Sequence, residues 1–235
     1  MVKNKPLLRS TPIKEKVSAK LILKMLEEAE EKNIMLNSIM IIRDGKVITE
    51  GYYKPYSECI ERSMHSATKS FTATAIGLLI DEGRLKLEDT VMSFFPEYAP
   101  ENPCDNLKKM NVWHLLTMTC GHDSVPPRKG TDNYVKQFLN HPVPYVPGTH
   151  FQYSSMASYM LTAIIRKVTG QNMTRYLRTR IFEPLGIYDA YCDTCPMGIE
   201  YGGGGLFLRT EDLAKLAVLY LNNGIWNGVR LLSES

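Results

Sequence analysis

Two β-rich runs, Ser38-Ile39-Met40-Ile41-Ile42 and Val47-Ile48-Thr49-Glu50, flank Arg43-Asp44-Gly45-Lys46. Asp-Gly takes φ > 0 at both central positions at little cost, so the pair predicts a β-hairpin. This prediction constrains the fold more than any other, because a two-stranded hairpin is marginal in water and needs partner strands or a helix against it. Residues 51–235 offer no convincing second hairpin. The sheet is therefore expected to stay incomplete here, with its remaining strands beyond Ser235.

Helical periodicity accounts for most of the rest. Between Ser18 and Asn33, Ile22, Met25, Leu26 and Ala29 fall at i, i+3, i+4 and i+7, one apolar stripe with Ser18 as N-cap. From Ser66 to Asp81, Phe71, Ala75, Leu78 and Leu79 run almost continuously into Ile76 and Ile80. That is the pattern of a helix buried on most sides, and Gly83 ends it. A loop-rich stretch from Leu85 to Pro103 follows, then a short helix from Asn111 to Thr119 capped by Asn111, then a Pro-rich connector from Gly121 to Gly148. Ser155–Thr169 reads as a second long helix with Met156, Met160, Ala163, Ile164 and Val168 inward. A third covers Met173–Phe182, and a fourth starts at Thr210, whose hydroxyl is expected to cap it.

Composition removes several classes. With 44% hydrophobic and 23% charged residues the chain is globular, and a net charge of +3 without any dense Lys/Arg run argues against a nucleic-acid partner. No window holds the roughly 20 apolar residues that span a bilayer, so no membrane partner is expected. Met1–Pro6 leads into no apolar signal region, and five cysteines, an odd number, suit reduced thiols. The expected location is cytoplasmic; the oligomeric state is not legible.

Ser66-Ala67-Thr68-Lys69 carries the clearest chemistry. If Ser66 opens the helix, Lys69 lies one turn on and shares its face. The helix N-terminus favours a developing alkoxide, and burial favours the neutral amine that could accept the serine proton. The pair meets the nucleophile-plus-base requirement of covalent acyl transfer. Alone, one such spacing also fits an N-capping serine and a solvated lysine.

The surroundings decide between these. Met64-His65-Ser66-Ala67-Thr68-Lys69-Ser70-Phe71-Thr72, followed by Gly83-Arg84-Leu85-Lys86-Leu87-Glu88-Asp89, resembles the nucleophile region of class C β-lactamase-like hydrolases. The resemblance continues in order through Trp113–Gly121, Pro147–Ser155, Gly204-Gly205-Leu206, Thr210-Glu211-Asp212-Leu213 and Leu231-Leu232-Ser233. It covers the chain from about Ile13 onward and implies the serine β-lactamase and penicillin-binding-protein superfamily. The family's Tyr-x-Asn motif is matched by Tyr153-Ser154-Ser155, 87 positions after Ser66. Tyr153 is thereby implied as the second catalytic group, a phenol that shares its proton as base or acid.

Two departures stand out. Ser155 replaces the family's Asn and offers fewer donors, which weighs against recognition of a β-lactam amide. The family's third motif, Lys-Thr-Gly or His-x-Gly on a strand that supplies an oxyanion donor, is missing. Lys167-Val168-Thr169-Gly170 falls at a helix end and Trp226-Asn227-Gly228 in a loop after a helix. One such donor is worth about 10²–10³ in rate. His65 is expected to line the substrate site beside Ser155. Gly202–Gly205 reads as a turn bordering the cleft, and Cys192-Asp193-Thr194-Cys195 lacks the second pair a zinc site needs.

The resemblance implies an α+β, β-lactamase/transpeptidase-like fold: an antiparallel sheet flanked by helices, plus a helical lobe. Residues 1–84 would form a helix–hairpin lobe with the nucleophile helix, 85–201 a mainly helical lobe, and 202–235 a segment returning to the first, with Ser66 at the junction. The implied activity is cleavage of a small ester or amide through an acyl-serine, similar to the family's esterases and 6-aminohexanoate-dimer hydrolases, with no cofactor and no metal. A β-lactamase or D-Ala-D-Ala peptidase is the enzymatic alternative; a shortened, inactive scaffold is the other.

Overall fold

The protein is described by a computed structural model covering residues 6–127, 130 and 132–234. The leader reading of Met1–Lys5 and the chain end at Ser235 lie outside the described residues. The chain forms two compact units. One comprises Met1–Arg62, Ile181–Asp189 and Leu208–Ser235; the other comprises Ser63–Arg180 and Ala190–Phe207.

The first unit is built on the hairpin. Strands Ser38–Arg43 and Lys46–Tyr52 pair antiparallel, with a bulge between Ile41 and Ile42. Asp44 and Gly45 adopt the positive φ their turn requires. A short strand, Leu8–Arg9, adds in parallel to Lys46–Val47, so the second hairpin strand is central in a three-stranded sheet. Leu7, Val47 and Val218 form its buried cluster, with Met40, Ile42, Ala214 and Trp226 packed against it.

Several expectations change here. The helix Ala19–Glu31 is capped by Ser18, but only Ile22 is buried and Met25 is 45% exposed, so the predicted stripe is narrower than four residues. Thr210 is the first residue of the helix Thr210–Leu221 rather than its cap. Its hydroxyl meets Ser38 Oγ at 2.9 Å and the Arg62 guanidinium at 3.1 Å, and Asp212 takes the Arg209 N–H and guanidinium instead. A second hairpin does exist: Ile225–Trp226 pairs with Val229–Arg230 across Asn227-Gly228, both at positive φ. Trp226-Asn227-Gly228 is thus a strand end and turn, because Asn-Gly suits the tight turn as well as Asp-Gly does.

The second unit is mainly helical. Helix Thr68–Asp81 packs with helix Ser155–Thr169, and their apolar faces supply Phe71, Ala75, Ile76, Leu79, Met156, Met160 and Ile164 to a dry interior. Ser154 caps the later helix through Ala157 N–H, and Gly170 stops it in the left-handed conformation that glycine adopts freely. Short helical turns, Val91–Phe94 and Pro96–Tyr98, fill part of the stretch expected to be loop, Asp105–Lys109 follows it, and the helix expected over Asn111–Thr119 is Val112–Leu116 with Asn111 as its cap. The last is closed by reciprocal bonds at 3.1 Å between Asn111 and His114. The predicted third helix is shorter than Met173–Phe182: its α-helical part is Met173–Leu177, followed by a wider turn.

Candidate active site

Ser66, Lys69, Tyr153, Ser155 and His65 all belong to the second unit. Ser66 does not open the α-helix; it sits in a single tight turn, His65–Ala67, that feeds into Thr68–Asp81. His65 holds φ = 44°, a left-handed backbone that a side chain disfavours and that the surrounding bonds must impose. Such bonds flank it: Met64 N–H donates to Leu206 O at 2.8 Å, His65 N–H itself to Ser63 Oγ at 3.3 Å, and Ala67 N–H to Met64 O at 3.0 Å.

Three groups from distant stretches converge. Ser66 Oγ lies 2.7 Å from Tyr153 Oη, and Lys69 Nζ lies 3.2 Å from Ser66 Oγ. Lys69 Nζ also donates to Gly203 O, lies 3.5 Å from Ser155 Oγ, and sits 5.0 Å from the centre of the Tyr153 ring. Three oxygen partners match the three donors of an ammonium. The Tyr153 phenol is held below its ordinary value of 10, first by its bond to Ser66 and then by Lys69. Tyr153 is 47% exposed, so a group reaching the site meets its hydroxyl from solvent.

The glycine run builds the opposite wall. Gly202 O accepts from Thr72 Oγ1 at 2.8 Å, Gly203 O from Lys69, and Gly204 O from Ser63 Oγ at 3.4 Å, while Leu206 N–H donates to Thr68 Oγ1 at 3.2 Å. Gly202, Gly203 and Leu206 are thus bonded to the helix that follows Ser66, and Gly204 to Ser63 just before its turn. A Cβ on Gly203 would come 2.7 Å from Ser155 O, and one on Gly202 would come 2.4 Å from Thr162 Cγ2. Only glycine allows that approach. The run is therefore a close-packed wall rather than a loose turn.

Between these parts lies a cavity of about 410 Å³, lined by Ser66, His65 and Ser155, together with Asp193, Tyr159 and Tyr201. Sequence reasoning brought forward the first three and missed the last three. Asp193 was visible only inside a Cys-x-x-Cys spacing, whose two thiols have different partners: Cys192 Sγ lies 3.8 Å from Tyr201 O. Cys195 bonds the buried Tyr159 hydroxyl at 3.3 Å instead. Among the described residues, no group of three or more His, Cys, Asp or Glu is arranged to hold a metal. No described helix is long and apolar enough to cross a membrane.

A serine in a tight turn, a lysine one turn on and a tyrosine at the foot of a second helix, within an α+β scaffold, define the serine β-lactamase-like class. The chain belongs to the Beta-lactamase family, whose model matches residues 30–234. Protein flp of Staphylococcus aureus (strain COL) is 32% identical over 164 residues, covering 63% of this chain and 33% of flp. The 6-aminohexanoate-dimer hydrolase of Paenarthrobacter ureafaciens is 25% identical over 217 residues, covering 84% of this chain and 55% of that protein. The solved structure of EstCE1, a hydrolase with promiscuous acyltransferase activity, matches with a TM-score of 0.74 at 20% identity, over 94% of this chain and 76% of that one. The fold is β-lactamase/transpeptidase-like, and the chain spans between a third and just over half the length of these curated relatives.

Proposed function

We propose that the protein is a serine hydrolase that cleaves a small ester or amide through an acyl-serine intermediate. The observation that carries this is the 2.7 Å contact of Ser66 Oγ with a phenol whose proton is loosened, backed by Lys69 Nζ at 3.2 Å. Ser66 Oγ adds to the substrate carbonyl as its proton passes to the Tyr153 oxygen. The same proton goes to the leaving group as the tetrahedral intermediate collapses. Water then attacks the acyl-serine with Tyr153 again as base. Lys69 acts by charge: its ammonium, fixed by Gly203 O, favours the phenolate over the phenol.

Reaction with a fluorophosphonate followed by peptide mapping tests this. Adduct on Ser66, lost in Ser66→Ala, is expected; an adduct elsewhere, or labelling unchanged by the substitution, would refute it. Because Tyr153 works as the base below its ordinary 10, labelling should rise with pH along a limb beneath that value. Lys69→Gln should move the limb upward.

The family match favours a second reading, turnover of a β-lactam or a D-Ala-D-Ala peptide. Ser155, whose hydroxyl stands where the related motif carries an amide, weighs against it. Faster turnover of a chromogenic cephalosporin than of a nitrophenyl ester would reverse the preference. The five cysteines are all unpaired, which favours a reducing, cytoplasmic compartment; cell fractionation that finds the protein outside it would overturn that assignment.

A further inference from the structure

Helix Thr68–Asp81 buries three threonines, Thr68, Thr72 and Thr74, among its apolar side chains. A buried hydroxyl is costly unless it is bonded, and a helical threonine commonly returns its proton to the carbonyl four residues back. Thr74 does this, donating to Ser70 O at 2.8 Å. Thr72 Oγ1 lies 3.3 Å from the corresponding Thr68 O and 3.2 Å from the Met173 thioether. Its shortest contact, 2.8 Å, is with Gly202 O, 130 positions away. Thr68 Oγ1 accepts from Leu206 N–H at 3.2 Å.

The carbonyl that Thr72 holds is the central one of a turn. Gly204 N–H donates to Tyr201 O at 3.1 Å, so Tyr201–Gly204 is a four-residue turn whose middle peptide joins Gly202 to Gly203. Such a turn has two forms that differ by a flip of the middle peptide. One of them needs positive φ at the third residue, which glycine reaches as readily as negative φ. Gly203 stays out of positive φ here, with Gly202 O against Thr72. Adjacent glycines give the chain little preference between the two forms, so the choice falls to the tertiary bond. Gly203 O, next in the chain, is the acceptor of the Lys69 ammonium.

We propose that Thr72 is a positioning residue for the reaction at Ser66: its hydroxyl holds the Gly202–Gly203 peptide in the orientation that presents Gly203 O to the Lys69 amine, and Thr68 anchors the segment at Leu206. Thr72 touches neither substrate nor the reacting atoms. The inference rests on the hydrolase reading and adds what fixes the lysine in it.

The Tyr153 phenol reports on that amine. Lys69 is the charged group that meets it from helix Thr68–Asp81, and His65, Asp193, Tyr159 and Tyr201 are the titratable groups lining the adjoining cavity. An amine that loses Gly203 O stands less firmly beside the phenol, which then moves back up toward 10.

NMR titration of protein carrying 13C-labelled tyrosine, with Tyr153→Phe to assign the resonance, tests this. Thr72→Val should move the Tyr153 titration upward by about half a pH unit and slow fluorophosphonate labelling of Ser66 at neutral pH roughly threefold. Thr72→Ser, which keeps the hydroxyl, should restore both. On a Lys69→Gln background Thr72→Val should add nothing, because the hydroxyl acts through the amine. If Thr72→Val does not fold, Thr68→Val and Thr68→Ser make the same comparison at the other anchor. A titration unmoved in the folded valine variant, or a shift that persists without Lys69, would overturn the proposal. A shifted titration in a protein whose Ser66 takes no label supports the positioning and counts against the hydrolase reading. Label on Ser66 with a titration that neither threonine moves overturns the positioning alone.

Discussion

The two units treat their helices in opposite ways. In the unit that carries Ser66, helix Thr68–Asp81 keeps Phe71, Ala75, Ile76 and Leu79 fully out of water. In the other, helix Ala19–Glu31 hides Ile22 alone and leaves Leu21, Leu23 and Met25 exposed, with Leu23 at 59%. The first helix is apolar almost all round and is packed from several sides; the second has one narrow stripe to offer. The hairpin unit holds fewer apolar side chains against each other, and much of its apolar surface faces solvent. The difference teaches that resistance to opening is concentrated around Ser66, where a strained turn and a close-packed glycine wall must be held.

The largest effect that would sharpen this contrast comes from the interior of the Ser66 unit. Phe71→Ala should cost about 3–5 kcal/mol in denaturant unfolding, because the cavity it leaves cannot collapse between two long helices. A cost below about 1 kcal/mol would mean that interior is looser than its burial says.

His122, in the same unit, gives a somewhat smaller and pH-dependent effect. It is 2% exposed, both ring nitrogens lack a partner among the described residues, and Phe138 and His141 meet it edge-on. Burial, aided by His141 and opposed by Asp123, pushes it from 6.5 to about 4. Between those values the unfolded chain binds a proton that the folded chain refuses, so stability falls as pH drops from about 6.5 through about 4. At about 1.4 kcal/mol per pKa unit the loss approaches about 3 kcal/mol. Unfolding free energies measured across that range should show the slope, and His122→Leu should flatten it. A slope untouched by the substitution would assign it to another group.

The smallest effect belongs to the hairpin unit. Leu23→Ala should change stability by no more than about 0.5 kcal/mol, as for other exposed positions. A loss of several times that would show that Leu23 is covered in solution and would break the comparison between the units.

Much of this was legible beforehand where one local rule governs the outcome. Asp44-Gly45 announced its hairpin because few residues accept that turn, and Gly83 and Gly170 marked helix ends for the same reason. The apolar run from Phe71 to Ile80 announced a buried helix. Ser66, Lys69 and Tyr153 were legible through motif and spacing, and the structure places their side chains together. Residues whose role depends on which neighbour arrives from elsewhere were not legible. Thr210 had the chemistry of a cap, yet Ser38 and Arg62 compete for its hydroxyl. Met25 had the right helical phase, yet nothing described covers it. Asp193 looked like filler in a cysteine spacing until Gly205 placed it on the cavity wall.

The amino-acid sequence by itself determined the hairpin at Asp44-Gly45, the long helices and their glycine stops, because each of these follows from backbone preferences and periodicity within a few residues, and motif and spacing picked out Ser66, Lys69 and Tyr153 as candidates. Tertiary structure alone decided that the Gly203 carbonyl fixes the Lys69 amine, that His65 takes a left-handed backbone, and that a carboxylate and two tyrosine rings share the serine's cavity. Those outcomes depend on segments far apart in the chain meeting at distances of a few ångströms, and no local preference encodes such a meeting.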